Sequence, residues 1–385
     1  MAKPLPLSGL VVVELGTSVA APTAAQIFAE LGAEVFKIEN PERGDDARSW
    51  GPPFVDGVGS IFVAVNRNKR SAAIDFKDKD QCAALRQFIL ARADIVLQNL
   101  RAGVVDRFGL DGKSLTAEKP ELIYCSLSAF GDRGPRAGKP GYDPLMQAFG
   151  GIMSITGEDG RPPARVGPAL IDQGSAMWMV IGVLSALHRR AATGKGGVIE
   201  TSLYETALFW MSVPTATFLA SGDVPRRFGT ENGNLAPYKA YEASDGWMVI
   251  CAGNDKQFAN LAAALGHPEW ASDPDFAINP QRVKHRTRLN GLIADLVKRG
   301  SREHWQATLD AAGVPCAPML GLDEVLAHPQ SRALGMLQDA PDGGIALMGA
   351  PLRFDGERPP FRSSPPKLGE ATDIILGGTR QKAAE

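Results

Sequence analysis

The sequence is poor in the residues that build disulfide frameworks and metal centres. Its 385 residues include only four cysteines and five histidines. The cysteines, Cys82, Cys125, Cys251 and Cys316, lie far apart and form no C-x-x-C pair. A disulfide scaffold and a cysteine zinc site are therefore not expected. No two histidines have metal-ligand spacing either, so we expect no metal ion and a reduced, cytoplasmic protein.

An excess of one charge and long apolar runs are also missing. Lys and Arg number 41 against 43 Asp and Glu, a net charge of −2, so neither a nucleic-acid partner nor an anionic membrane is expected. No apolar run approaches the roughly 18 residues that cross a bilayer, and residues 1–7 lack the apolar stretch of a signal peptide. The composition, 44% hydrophobic and 22% charged, is that of an ordinary globular chain, and its length favours two domains.

Strand and helix signals alternate along the first two hundred residues. Strands are predicted at 10–15, 34–39, 71–75, 95–99, 122–127 and 198–203. Between them, helices are predicted at 24–31, 79–92, 173–190 and 204–218, the first with Gly32 as its stop. This alternation predicts an α/β fold with a doubly wound, mostly parallel, Rossmann-like sheet and helices on both faces.

A turn-rich stretch near residue 222 marks a change in organisation. Several glycines and prolines follow one another there and favour a hinge rather than a regular element. We place a large domain at 1–222 and a smaller α/β domain at 225–325. A C-terminal segment at 330–385 is expected to return to the large domain.

The loop after the first predicted strand argues against two common functions. Where a dinucleotide fold carries G-x-G-x-x-G, this chain has only Gly16, and Glu39 alone is weak evidence for a ribose-binding acid. The residues around Ser18 partly match a hydrolase nucleophile elbow, but that elbow normally follows several strands. We therefore interpret Ser18 as part of a turn.

Two features could carry chemistry, and each has a plain structural alternative. Residues 66–70, NRNKR, are either a solvated turn or a phosphate clamp, and Arg107 and Lys139 add positive charge in the same half. Asp172 opens the helix predicted from Gln173, where an N-cap would stabilise the helix by about 1 kcal/mol. An ionised carboxylate could also attack an activated acyl group without a general base. The local sequence leaves both roles open.

Ordered passages along nearly the whole chain carry a wider resemblance. They comprise residues 7–15, 37–39, 66–71, 98–103, 106–109, 140–144 and 313–318. Together they resemble the family III CoA-transferases, which include formyl-CoA and carnitine-CoA transferases and α-methylacyl-CoA racemases. The loops at 228–233 and 253–258 look most like the succinyl-CoA:glutarate branch.

The resemblance implies a mechanism, because the family's nucleophilic aspartate falls on Asp172. Its carboxylate would attack a donor acyl-CoA to form a mixed anhydride, and the released CoA thiolate would return to give an aspartyl-CoA thioester. An acceptor carboxylate would then attack that thioester. A CoA thioester is thus a substrate, with no permanently bound cofactor and with an interlocked homodimer as the implied assembly. The residues that the resemblance implies around CoA are Thr17, Val19, Lys69, Arg70, Asn99, Leu100, Arg107, Lys139 and Tyr142.

Departures from the family patterns narrow the reaction. Formyl-CoA transferases have His and Gln where this chain has Thr17 and Val19, which argues against oxalate as acceptor. Racemases have Gly-His-Asp where this chain has Tyr142, so a basic partner for α-proton exchange is missing. A racemase is therefore the second interpretation, and a non-catalytic CoA-binding protein is the alternative from a different class.

The glutarate-like loops favour a dicarboxylic acceptor. Its distal carboxylate would need a cation in a closed site, and Arg48 and Arg165 are the candidates, with surface solvation as the alternative for both. Gly229 and Gly233 lie on a loop that resembles the family's mobile cover over the substrate.

Overall fold

The computed structural model describes residues 4–101 and 103–380. Within them the chain forms two compact units. The first runs to Ile152, takes in Val166–Ala216 and resumes at Pro329, and the second comprises Met153–Arg165 and Thr217–His328. The segment Met153–Arg165 packs with the second unit, although we placed it in the large domain.

The described residues form strands, α-helices and short 3-10 helices. The strands are β1 (Val11–Leu15), β2 (Glu34–Glu39), β3 (Phe54–Val55), β4 (Val58–Gly59), β5 (Arg70–Ala73), β6 (Ile95–Gln98), β7 (Ile123–Ser128), β8 (Gly197–Ser202), β9 (Tyr238–Ala243), β10 (Gly246–Cys251), β11 (Cys316–Pro318), β12 (Leu337–Gln338) and β13 (Leu347–Met348). The α-helices are α1 (Ala20–Glu30), α2 (Ser60–Ala64), α3 (Lys79–Arg92), α4 (Gly112–Glu118), α5 (Asp143–Phe149), α6 (Ile152–Ile155), α7 (Leu170–Thr193), α8 (Leu203–Trp210), α9 (Ser212–Ser221), α10 (Asp255–Ala264), α11 (Asn279–Lys284), α12 (Arg286–Val297), α13 (Arg302–Ala311), α14 (Leu322–Ala327), α15 (Pro329–Leu334) and α16 (Thr372–Arg380). The 3-10 helices are Asp46–Ser49, Asp106–Phe108 and Pro268–Ala271.

The first unit is built on a six-stranded parallel sheet, as the alternation predicts. The strand order is β5-β2-β1-β6-β7-β8, and every pairing is parallel. The valines of β1 suit a strand that is covered on both faces, and Val12 and Val13 are fully buried. The order reverses between β1 and β6, which creates a crevice at the carboxyl ends of these two strands.

Helices cover both faces of this sheet and complete its core. On one face, α1 and α7 contribute Phe28 and Val183 to a buried cluster. On the other face, α3 packs against α16, and Phe88 and Ile375 share a second cluster. The C-terminal helix therefore lies within the first unit, although almost three hundred residues separate it from α3.

The second unit has its own sheet and core. Strands β9, β10 and β11 form an antiparallel sheet in the order β11-β10-β9. Helices α10, α12 and α13 supply buried residues such as Phe258, Leu289 and Leu309 to the cluster beneath it. The prediction of a smaller α/β domain is confirmed.

Two predicted helices differ from the structure. The helix predicted at 204–218 is two helices, α8 and α9, with a break at Met211. Pro214 lies in the first turn of α9, where its missing N–H is tolerated, whereas the same proline inside one continuous helix would remove a hydrogen bond. The helix predicted from Gln173 begins earlier, at Leu170.

Helix α7 is long and apolar enough, by length and composition alone, to count as a candidate membrane span. No single unbroken apolar run in the sequence signals it, because polar residues interrupt the stretch. In this structure α7 packs against α1 and β7, and Ile171, Met179 and Val183 are fully buried in the first unit. A core helix of a globular unit has this same character.

Candidate active site

The loop between β1 and α1 lies at the reversal of strand order. Its backbone is held from the neighbouring strand by Asn99, which follows β6. The Asn99 side chain accepts a hydrogen bond from Thr17 N at 2.9 Å and donates one to Thr17 O at 2.9 Å. Asn99 therefore fixes the loop in register with the end of β6. This is the crevice in which open α/β sheets bind ligands.

A buried ion network supports this loop from below. Lys37 on β2 donates to Gly16 O at 2.9 Å and pairs with Glu14 and Asp45, both at 2.8 Å. Asp45 in turn accepts from Ser18 N at 3.0 Å, and Ser18 has a left-handed φ of 70°. Burial opposes the Lys37 charge, but the surrounding carboxylates outweigh it and hold the pKa of Lys37 above its usual range. Ser18 is thus part of a constrained turn.

The basic stretch 66–70 is neither a solvated turn nor an open clamp for most of its length. Arg67 is fully buried and forms a bidentate salt bridge with Glu30. Lys69 is 2% exposed, and its three protons go to Glu14, Pro22 O and Asn66 at 2.7–2.9 Å. Burial lowers the pKa of Lys69 to about 8, against an opposing effect of Glu14. A phosphate contact at Lys69 would require one of these bonds to break.

Asp172 lies in the first turn of α7, at its third residue, and does not cap the helix. The N-cap residue is Ala169, whose methyl side chain cannot accept a hydrogen bond. Instead Asp143 at the start of α5 accepts from Ile171 N at 2.7 Å and from Asp172 N at 3.3 Å. The N-cap alternative for Asp172 is therefore wrong, because another helix supplies the acceptor.

Asp143 is held as an acceptor on both of its oxygens. Besides the backbone of α7, it accepts from Gln147 Nε2 at 2.7 Å, and Gln147 Oε1 accepts from Val166 N at 2.8 Å. Donors on both oxygens are the pattern of an ionised carboxylate. Asp143 is 3% exposed, so its negative charge acts on Asp172 through little water.

The Asp172 carboxylate is half-buried, and no partner among the described residues balances its negative charge. Within the described residues it receives no cation and no hydrogen-bond donor. Burial, and to a smaller extent the charge of Asp143, raises the pKa of Asp172 from 3.8 to about 7. Such a carboxylate is more basic than a solvated one, and an acylated Asp172 would relieve both the buried charge and the repulsion. The arrangement suits a nucleophile.

The remaining residues implied around CoA occupy varied positions in the first unit. Val19 precedes α1, and Leu100 packs partly buried beside the core beneath the sheet. Arg107, Lys139 and Tyr142 are exposed. Arg70 is also exposed and pairs with Glu34 at 3.4 Å. Thr17, Val19, Asn99 and Leu100 thus come together at the strand ends. The exposed cations lie on separate elements, with Arg70 on β5 and Arg107 in a 3-10 helix.

The residues predicted to contact the acceptor acid differ in their exposure and lie in different units. Arg48 is engaged by Glu39 in two hydrogen bonds of 2.7 Å and by Pro366 O at 3.1 Å. Arg165 is exposed and belongs to the second unit. Gly229 and Gly233 also belong to the second unit, where Gly229 N donates to Gly157 O and Gly233 O accepts from Arg286.

Asp143 was not among the predicted site residues. The passage 140–144 contains it, but local sequence does not reveal that an acid there caps a helix beginning 27 residues later.

The described residues 4–101 and 103–380 give no support for a metal site. They contain no group of three or more His, Cys, Asp or Glu side chains that could hold a metal ion.

Comparison with known proteins identifies the family. The family model described as CoA-transferase family III matches residues 7–372. A succinate–glutarate CoA-transferase from Agrobacterium fabrum is 35% identical and covers 96% of this chain and 95% of its own. An acetyl-CoA:oxalate CoA-transferase from Acetobacter aceti is 37% identical over 95% of this chain and 93% of its own. A crystal structure of a CaiB/BaiF family protein from Brucella suis superposes with a TM-score of 0.86 at 40% identity, covering 98% of this chain and 100% of the other.

These matches confirm the resemblance stated from the sequence passages, including its glutarate-transferring branch. They span the chain almost from end to end, so the two units and the C-terminal segment belong to one family architecture. The chain is a member of CoA-transferase family III, an enzyme family whose substrates are CoA thioesters.

Proposed function

We propose that this protein moves CoA from a donor such as succinyl-CoA to a dicarboxylic acid, with Asp172 as the nucleophile. The observation that carries the proposal is the uncompensated, half-buried carboxylate of Asp172 beside Asp143. The carboxylate attacks the donor thioester carbonyl, and CoA thiolate leaves as the mixed anhydride forms. The thiolate then attacks the aspartyl carbonyl, which gives the aspartyl-CoA thioester and releases the donor acid.

The second half of the reaction reverses the first with a new acid. The acceptor carboxylate attacks the aspartyl-CoA thioester, thiolate leaves, and a second mixed anhydride forms. Thiolate attack on the acceptor carbonyl then releases the new acyl-CoA and restores Asp172. The first step removes the charge of Asp172 and the last step restores it, so the cost of burying the ionised form favours the acylated states between them.

The crevice between the ends of β1 and β6 is the proposed position of the CoA thioester. Asn99 clamps the Thr17 backbone there, and the sheet reverses its order at that point. Exposed Arg107 and Lys139 are proposed to meet the CoA phosphates, because both are charged and accessible. Lys69 is proposed to support the loop from below instead.

A dicarboxylic acid is the proposed acceptor class. The names of the glutarate and oxalate relatives both contain a dicarboxylic acid, and their identities of 35% and 37% do not separate the two acids. With succinyl-CoA as donor, glutarate is expected to react faster than pentanoate, a monocarboxylate of equal chain length. Equal rates with the two acids would contradict the dicarboxylate proposal.

The decisive experiment traps the covalent intermediate. Labelled succinyl-CoA is mixed with the protein, hydroxylamine is added, and peptides are analysed by mass spectrometry. A hydroxamate at Asp172 is expected, together with loss of transfer in a folded Asp172→Asn variant. A CoA-binding protein without activity would leave Asp172 unmodified, and a racemase would exchange the α-proton of an acyl-CoA without consuming an acid.

We further propose a cytoplasmic homodimer. Helix α9 carries exposed apolar side chains such as Val213 and Leu219, and none of its ten residues, all described, is buried. An apolar helix face of this kind favours a partner surface. The four cysteines are free, which suits a reducing compartment. Light scattering at micromolar concentration should give twice the 40.9 kDa chain mass, and a monomer would contradict the assembly.

A further inference from the structure

The second unit contains a cavity of about 570 Å³ whose lining belongs entirely to that unit. This volume is in the range that small-molecule sites occupy. Four cationic and three anionic side chains line the cavity, which leaves one excess positive charge. The cations are Arg226, Arg227, Lys239 and Arg286.

Three of these four cations are already engaged or stacked. Lys239 pairs with Glu231 at 2.9 Å. Arg286 donates to the backbone carbonyls of Asn232 and Gly233. Arg226 is exposed and lies over the ring of Phe228, 4.9 Å from its centroid. Lys239 and Arg286 therefore already have partners among the protein's own groups, and Arg226 is exposed.

Arg227 is the exception. Its Nη1 atom is buried and has no hydrogen-bond acceptor within the described part of the chain. The side chain runs past Gly157, whose carbonyl accepts from Gly229 N at 2.8 Å. The aliphatic part of the arginine therefore lies beside the chain segment that contains Gly157. A buried guanidinium N–H without an acceptor is unfavourable. Because Arg227 also lines the cavity, a rotation of its guanidinium would bring this donor to an anionic ligand there.

An apolar part of the lining comes from β10 and from the residue after β11. Trp247 and Met319 are 49% and 50% exposed, and Met319 N donates to Trp247 O at 2.8 Å, which places them side by side. Together with Phe228 they form a wall suited to an alkyl chain. We propose that this cavity binds a small aliphatic carboxylic acid, with its carboxylate on Arg227 and its chain against Trp247 and Met319.

A phosphate group fits the lining less well than a carboxylate. Glu158 and Asp159 belong to the same lining, and their charges would repel a multiply charged phosphate more than a single carboxylate. The identification of this acid as the acceptor rests on the proposed function. The binding site itself does not, because it follows from Arg227 and the apolar wall.

Isothermal titration of the full-length protein with glutarate, succinate and butyrate tests the site directly. Replacing Arg227 with Met should weaken binding of the tightest acid by about 10- to 100-fold, the usual effect of losing a charged hydrogen bond. Arg299→Met is the matched control, since it removes an exposed charge of the same unit that does not line the cavity, and the affinity of this variant for the acid should stay within about twofold. Arg227→Lys should keep part of the affinity and shows that loss in the Met variant is not misfolding.

Several results would overturn the inference. They are an unchanged affinity in a folded Arg227→Met protein, equal losses in the Arg299→Met and Arg227→Met variants, or no binding of any of the three acids at millimolar concentration. A loss of CoA affinity in Arg227→Met with acid binding intact would assign the cavity to a phosphate instead. If the wild-type protein binds acid through Arg227 but transfers no CoA, the proposed function fails and the site stands.

Discussion

Replacing Asp172 with asparagine is expected to stabilise the folded protein at alkaline pH while it removes the proposed nucleophile. Burial and the neighbouring Asp143 raise the pKa of Asp172 from 3.8 to about 7, so the folded protein holds this proton more tightly than the unfolded chain. A carboxyl group of this kind has no effect on stability below about pH 4 and destabilises the fold increasingly as the pH rises to about 7. Above that pH the cost is complete.

The magnitude follows from the difference between 3.8 and about 7 at about 1.4 kcal/mol per pH unit. At pH 8 the buried, ionised carboxylate lowers the free energy of unfolding by about 4 kcal/mol. At pH 5 the folded protein has to take up a proton at Asp172, and this lowers the free energy of unfolding by about 1.5 kcal/mol. The Asp172→Asn protein should therefore gain about 2 to 3 kcal/mol more at pH 8 than at pH 5. The comparison between two pH values cancels any constant effect of the new amide on packing.

Urea unfolding followed by circular dichroism at both pH values measures this difference. Asp132→Asn is a suitable control, because its carboxylate lies in the same unit and its side chain is 65% exposed. Its effect should stay within about 0.5 kcal/mol at either pH. An equal gain for Asp172→Asn at both pH values, or a loss confined to pH 8, would refute the account of a buried and repelled carboxylate.

Other consequences of the same geometry can be measured. The single-turnover rate of acylation by succinyl-CoA should rise about tenfold between pH 6 and pH 8, as Asp172 ionises with a pKa of about 7; a flat profile would contradict the nucleophile. Asp143→Asn should move this rise to lower pH without removing it, since burial is the larger cause. Lys69→Met should lower the free energy of unfolding by about 3 kcal/mol, because it leaves Glu14 with one ion-pair partner fewer in the interior. Arg107→Met, at an exposed position, should raise the KM for acyl-CoA and change the free energy of unfolding by no more than about 0.5 kcal/mol. Equal stability losses in Lys69→Met and Arg107→Met would contradict a supporting role for Lys69 and a CoA-binding role for Arg107.

The sequence by itself determined the architecture of the first unit and the family. Short apolar runs alternating with helical segments are local signals, and they correctly indicated β1, β2, β6, β7 and the parallel sheet. The break at Met211 had a local signal as well, in Pro214. The resemblance to the family is what points to Asp172 as the proposed nucleophile, because its position as the third residue of a helix does not suggest that role.

Only the tertiary structure decided what environment each charged group has. Asp143 meets Asp172 across 29 residues, Glu14 meets Lys69 across 55, and Asn99 meets Thr17 across 82. Long polar side chains can be solvated, paired or left unsatisfied with the same local sequence around them. Their energies depend on burial and on partners from distant segments, because interactions between charges strengthen as water is excluded. The burial of most of residues 66–70, the capping of α7 by Asp143 and the unpartnered Nη1 of Arg227 therefore emerge only once the chain is folded.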